Sequence, residues 1–267
     1  MYLDLLRQCL TRYIFAETWR PIAPPRRSFK WFIFKPLSAL LSRIQIQLGR
    51  PVRFNATARE EGKDWPDDAE TMIGTKRLNH LQHCVVDIIR NRVPGDLVET
   101  GVWRGGVCIL MRAILKVYGD TRRKVWAADS FQGLPKPNVE KYPADRGTEL
   151  WGKESLAVSL EEVKENFRRY GVLDDQVKFL VGWFKDTLPN APISEIALLR
   201  LDGDMYESTM DSLNALYHKV SSGGYVLFDE YYHLETCRAA VDDYRAAHNI
   251  EEPMQQIDWS ASFWQKR

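Results

Sequence analysis

Cysteine is scarce in this chain: there are four in 267 residues, Cys9, Cys84, Cys108 and Cys237, and no two form a CxxC pair. That spacing excludes a disulfide framework and a zinc–thiolate site, so reduced thiols and a cytoplasmic location are expected. An excess of one charge is also missing. Lys and Arg number 37 against 36 Asp and Glu, a formal net charge of +1. An electrostatically driven nucleic-acid binder would carry a basic excess, so no nucleic acid is expected as partner. The apolar runs are too short and too often charged to span a bilayer. The N-terminus alternates polar and apolar residues and has no small-residue cleavage site, so no secretory signal is read there. What is plentiful is core material: 45% of residues are hydrophobic, ample for one large domain or a domain with an extension.

The most informative stretch is Gly95-Asp96-Leu97-Val98-Glu99-Thr100-Gly101-Val102-Trp103-Arg104-Gly105-Gly106. A short apolar strand ends on a carboxylate, the chain turns through glycine, and Val107, Leu110, Met111, Ile114 and Leu115 follow at helical spacing. Glycines at such a turn let a ligand lie against bare backbone, with a helix N-terminus behind it. A dinucleotide fingerprint needs glycine where Trp103 stands. The expectation is therefore a Rossmann-like sheet whose ligand is not NAD, and S-adenosylmethionine, with no phosphate and a positive sulfonium, suits the pattern.

Strand-like runs recur at Leu97–Glu99, Val125–Asp129, Val177–Val181, Ile196–Asp202 and Tyr225–Asp229, with helical patterns between them at Leu160–Tyr170 and Thr209–Val220. This alternation implies a doubly wound, mainly parallel α/β sheet. Ile257–Trp264 reads as a last edge strand, and a helix is expected over Thr71–Arg92. An amphipathic helix is read within residues 1–20, then a break at Pro21, Pro24 and Pro25. The polar, turn-rich segments 55–70 and 131–155 have the composition of lids. Phe29-Lys30-Trp31-Phe32-Ile33-Phe34-Lys35-Pro36 and the apolar residues after it admit two readings. One is contact with a membrane surface; the other, favoured here, is packing on the domain or on a second subunit of a homo-oligomer.

Open α/β sheets bind ligands beyond the carboxyl ends of their strands. Here Glu99, Asp129 and Asp202 end strands, and the pair Asp229-Glu230 ends another. Glu99 brings negative charge to a cationic ligand, and Asp129 is placed to hydrogen-bond a ribose diol. Asp202, Asp229 and Glu230 come from neighbouring strand ends, where their mutual repulsion calls for a hard cation. Magnesium suits them better than zinc, because no His or Cys lies among them. In the following Asp202-Gly203-Asp204-Met205-Tyr206-Glu207-Ser208-Thr209, a hydroxyl of Ser208 or Thr209 is expected to cap the next helix. Asp204 and Glu207 are read as acids favourable at a helix start, with support of the site as the alternative. His233 reads as a solvated loop histidine.

At these residues the chain resembles the macrocin O-methyltransferase family, whose members methylate sugar hydroxyls in antibiotic pathways. The resemblance rests on Thr71-Met72-Ile73-Gly74, the run Val98–Gly106, Ala128-Asp129-Ser130-Phe131, Gly182–Pro189 and Leu201–Thr209. It runs from about Asn55 to the C-terminus and, more loosely, over Tyr2–Thr11; the stretch around Trp31 lies outside it. It implies a class I methyltransferase fold, with an N-terminal helical extension over 1–54 and the methyltransferase domain over 55–267. It implies S-adenosylmethionine as donor and magnesium held by Asp202, Asp229 and Glu230, where the family usually has Asp-Asp in place of Asp229-Glu230. It implies a donor pocket of Thr71, Met72, Glu99, Thr100, Gly101, Val102, Trp103, Asp129, Ser130 and Trp183.

The reaction so implied is methyl transfer to a sugar hydroxyl of a glycoside, with magnesium acidifying one of two adjacent hydroxyls and Asp202 accepting the proton. Trp65 and the 131–155 segment are the expected covers of the acceptor. Two alternatives stay open. One is a magnesium-dependent methyltransferase of a catechol or other phenol; the other is a donor-binding protein without turnover, membrane-associated through residues 29–46.

Overall fold

The computed structural model describes residues 1–15, 18–22 and 29–267; Pro24 and Pro25, read as part of a break, lie outside them. In chain order the elements are α1 (Tyr2–Leu10), β1 (Thr18–Pro21), α2 (Phe29–Ser42), β2 (Gly49–Val52), α3 (Ala56–Glu60) and α4 (Thr75–Arg90). Then come β3 (Asp96–Thr100), α5 (Gly106–Val117), β4 (Val125–Asp129), α6 (Leu160–Arg169), β5 (Val177–Val181) and α7 (Phe184–Thr187). The chain ends with β6 (Ile196–Leu201), α8 (Tyr206–Leu216), β7 (Val220–Phe228), α9 (Glu235–Ala247), β8 (Gln255–Gln256) and β9 (Ser262–Gln265).

Seven strands form one sheet in the order β5-β4-β3-β6-β7-β9-β8. The first five are parallel, and the β8–β9 hairpin joins antiparallel to β7. The chain winds outward from β3 to β5, then returns to start again at β6 beside β3. The carboxyl ends of β3 and β6 are thus the switch point, where the two diverging connections leave a crevice.

Alternation along the strands builds two cores, one on each face. Leu97 on β3, Val125 and Ala127 on β4, and Leu198 on β6 pack with α1, α4 and α5. Val98, Trp126, Ala128 and Leu199 point the other way, into the core shared with α8 and α9. Leu3, Leu6 and Leu10 place α1 in the first core. By contrast, Phe29, Phe32, Ile33, Leu37 and Leu40 of α2 are exposed. Among the described residues no helix is long and apolar enough to cross a membrane.

Several boundaries differ from the sequence reading for identifiable reasons. The expected edge strand Ile257–Trp264 is shorter, and β9 is paired on both sides, leaving β8 at the edge. The first half of that run is a turn instead, in which Asp258 Oδ1 accepts from the N–H groups of Ser260 and Ala261, both at 2.9 Å. The helix expected from Thr71 starts at Thr75, because Gly74 is extended and Thr71 Oγ1 takes the N–H of Ile73. Segment 55–70 contains α3, capped by Asn55 Oδ1 accepting from Ala58 N at 3.0 Å. Segment 131–155 is irregular apart from short 3₁₀ turns at Pro143–Asp145 and Leu150–Gly152 and the start of a third at Glu154–Leu156.

The glycines of the β3–α5 turn are required by the protein itself. Gly101 has φ +90°, and an added Cβ would overlap the carbonyl oxygen of Asp202 in the neighbouring loop. Gly101→Ala is therefore expected to cost at least about 2 kcal/mol, from left-handed strain plus the steric overlap. Urea unfolding measures this, and an unchanged midpoint would contradict the close approach of the two loops.

Candidate active site

The strand register puts three charged side chains in one row. Glu99 on β3 lies beside Arg200 on β6, and Asp229 follows β7 with the parity of Tyr225 and Leu227, on the same face as Arg200. Arg200 pairs with Glu99 and Asp229, and its Nη1 donates to Asp202 Oδ2 at 2.7 Å. From α4, Arg77 reaches down to pair with Asp229 and, through Nε, with Asp258 Oδ2 at 2.9 Å. Both guanidinium groups are buried.

Asp202, Asp204 and Glu230 form a second group, each offering a carboxylate oxygen within 4.8 Å of the others. Glu230 Oε2 is buried and has no hydrogen-bond partner among the described residues. Burial, then the charges of Asp202 and Asp229, push the Asp204 carboxyl up to about 8. The same causes raise Glu230 well above the usual carboxylate range. Burial alone would also raise Asp229, but the Arg200 and Arg77 guanidinium groups hold it down at about 2. The three acids thus show the chemistry of a divalent-cation site, with an oxygen-only donor set and an orphaned oxygen.

A cleft of about 860 Å³ opens above these groups at the switch point. Met72, Gly101, Val102, Trp103, Asp129, Ser130 and Trp183 line it, together with Asp202 and Asp204. Trp103 turns there with φ +48°, the left-handed conformation a glycine would take without strain. Asp129 accepts from Val102 N at 2.7 Å and from Phe131 N at 2.8 Å. Each of its oxygens keeps a lone pair for a further donor.

Three of the expected donor-pocket residues lie elsewhere. Glu99 is beneath the cleft floor, paired to Arg200 and accepting from Cys108 Sγ at 2.9 Å, and burial pushes it up to about 7. Thr100 is fully buried, and Thr71 caps its own turn. Nor does Asp229 join the group of Asp202 and Glu230, since both its oxygens are engaged by arginines; Asp204 is the third carboxylate there. Ser208 and Thr209 fall inside α8 and cap nothing. His233 is exposed, and all four cysteines are free. Sequence reasoning passed over Arg200, although a lone cation inside Ile-Ala-Leu-Leu-Arg-Leu is a detectable signal that buried acids surround it.

A parallel sheet in this order, closed by an antiparallel hairpin and carrying this cleft at its switch point, defines a class I methyltransferase fold. The family model described as macrocin-O-methyltransferase (TylF) matches residues 1–266, and the chain belongs to that family. The match covers α2 as well, including the stretch around Trp31 that the sequence reading left outside the resemblance. The chain is 55% identical over 218 residues to demethyldecarbamoylnovobiocin O-methyltransferase of Streptomyces niveus, covering 81% of this chain and 83% of the relative. It is 46% identical over 265 residues to 8-demethyl-8-(2,3-dimethoxy-alpha-L-rhamnosyl)-tetracenomycin-C 4'-O-methyltransferase of Streptomyces olivaceus, covering 99% and 92%. The solved structure of the O-methyltransferase NovP superposes with a TM-score of 0.84 at 47% identity, covering 99% of this chain and 98% of that one.

The acid cluster links stability to pH. Glu99 at about 7, Asp204 at about 8 and the raised Glu230 bind protons in the fold that an unfolded chain, with carboxyl pKa values of about 4, has released. Between about pH 4 and 8 the folded state therefore binds more protons, and stability falls as pH rises. Asp229 acts in the opposite sense, but only below that window, as pH falls toward about 2. In chelator the unfolding temperature should drop from pH 5 to pH 8, and magnesium should raise it more at pH 8 than at pH 5. A profile flat in both buffers would contradict the cluster.

Proposed function

We propose that this chain transfers a methyl group from S-adenosylmethionine to a sugar hydroxyl of a glycosylated natural product, with magnesium at the acid group. The observation that carries this reading is the continuity of one cleft. It runs from the Gly101–Trp103 turn and Asp129 to Asp202 and Asp204, so a donor and a cation-bound acceptor share one space. The names of the two relatives, a demethyldecarbamoylnovobiocin and a rhamnosyl-tetracenomycin methyltransferase, support a glycoside acceptor.

When bound, the donor supplies an electrophilic methyl carbon, and magnesium lowers the pKa of a sugar hydroxyl and orients it. Asp129 would accept from the ribose hydroxyls, and Trp183 would hold the adenine. Asp202, oriented by Arg200, and Glu230, with its unpartnered oxygen, would hold the ion. Asp229 anchors Arg200 and Arg77, which frees it from a ligand role. The sequence reading gave the proton to Asp202. The raised proton affinity of Asp204 and its place on the cleft wall support Asp204 as acceptor instead. Gly133, Leu134 and Pro135 of the 131–155 segment line the cleft.

Calorimetry with S-adenosylhomocysteine should give micromolar binding, and no binding to folded protein would overturn the donor assignment. Asp202→Asn and Asp204→Asn should each lower transfer about a thousandfold while donor affinity stays within about threefold. In the unaltered protein kcat/KM should rise with pH toward 8, with a midpoint that magnesium lowers, and Asp204→Asn should abolish that limb. Sugar and phenolic acceptors assayed side by side decide the acceptor class; turnover of phenols alone would replace the glycoside reading.

A further inference from the structure

The loop that bears Asp204 has a backbone shape that needs outside support. Asp204 sits at φ +60°, in the left-handed region, and the next N–H, of Met205, turns tightly back to Gly203 O at 2.6 Å. A non-glycine residue stays in that region only where its surroundings over-determine it. One restraint comes from α9, where Thr236 Oγ1 donates to the Asp204 carbonyl at 2.6 Å.

The other restraint comes from far away in sequence. The N-terminus of α8 follows directly on this loop, and its cap residue, Met205, has no side-chain acceptor to offer. Asp145 supplies the cap instead. Its Oδ1 accepts from Tyr206 N at 2.7 Å and its Oδ2 from Glu207 N at 3.0 Å. The carboxylate is fully buried and satisfies two N–H groups that no helical carbonyl can reach. Asp145 ends the 3₁₀ turn Pro143–Asp145 in the middle of the 131–155 segment, and the rings of Tyr142 and Tyr206 lie 6.0 Å apart beside it. Farther along, the carbonyl of Ser155 accepts from Trp103 Nε1 at 2.9 Å, so the segment is tied to both walls of the cleft.

We propose that Asp145 is a positioning residue: by capping α8 it latches the 131–155 segment across the cleft and, with Thr236, holds the loop that presents Asp204. The part concerning turnover rests on the reaction proposed for this cleft, whose wall includes Asp204. The latch itself rests only on the cap.

Two variants test it, Asp145→Ala, which removes both acceptors, and Asp145→Asn, which keeps one. Limited trypsin digestion reads the latch without any acceptor substrate, through cleavage at Lys141, Arg146 and Lys153 in the segment. Cleavage under native conditions should speed up at least about tenfold in the alanine variant and less in the asparagine variant, because it follows the population of the open form. With an active acceptor, Asp145→Ala should lower kcat by at least about tenfold while the KM for the donor stays within about threefold, and Asp145→Asn should recover part of kcat. Unchanged cleavage overturns the latch. Faster cleavage with wild-type kcat overturns the positioning role. Failure to find any acceptor overturns the proposed reaction, and the digestion result still decides the latch.

Discussion

A guanidinium at the centre of a parallel sheet persists only if its charge is balanced within contact distance, and Arg200 meets that condition with Glu99, Asp202 and Asp229. Those three acids end or follow three adjacent strands, β3, β6 and β7. The register of the sheet therefore decides whether they can share one cation. Loss of one member of such a buried group costs about 3–5 kcal/mol, since the remaining charge has no water to turn to. Arg77 repeats the arrangement one layer higher, binding α4 to Asp229 and to the turn before β9 through Asp258.

The balance around Arg200 is incomplete, and the chemistry follows from the remainder. Two buried guanidinium groups face Glu99, Asp202, Asp229 and Asp258, with Asp204 and Glu230 in addition. Asp229 is well paired and stays ionised. Asp204 and Glu230 are not paired, and their carboxyls hold protons far above the usual range. Unneutralised acid at the floor of a cleft is the donor chemistry that the proposed cation site draws on.

Much of the frame was legible in the residues. Val125–Asp129 and Val177–Val181 coincide with β4 and β5, because uninterrupted apolar runs between polar turns have few alternatives. Glu99 was legible as a strand-end acid but not as a buried partner of Arg200, since facing direction depends on neighbours from distant parts of the chain. Asp204 read as a helix-start acid for a similar reason. The cap expected of Ser208 or Thr209 is made by Asp145, some 60 residues earlier, and Asp204 lines the cleft. Local spacing carries no trace of that exchange.

What the sequence determined by itself is the alternation of strands and helices, the acids at the strand ends and the family to which those motifs belong, because each is written in contiguous residues. The tertiary structure alone decided which acids meet. It pairs Asp229 with arginines and groups Asp204 with Asp202 and Glu230. It also shows that Gly101 is a glycine because a neighbouring loop crosses at contact distance. These outcomes depend on strand order and register, which bring together residues more than a hundred positions apart, and hydrogen bonding across the sheet sets both.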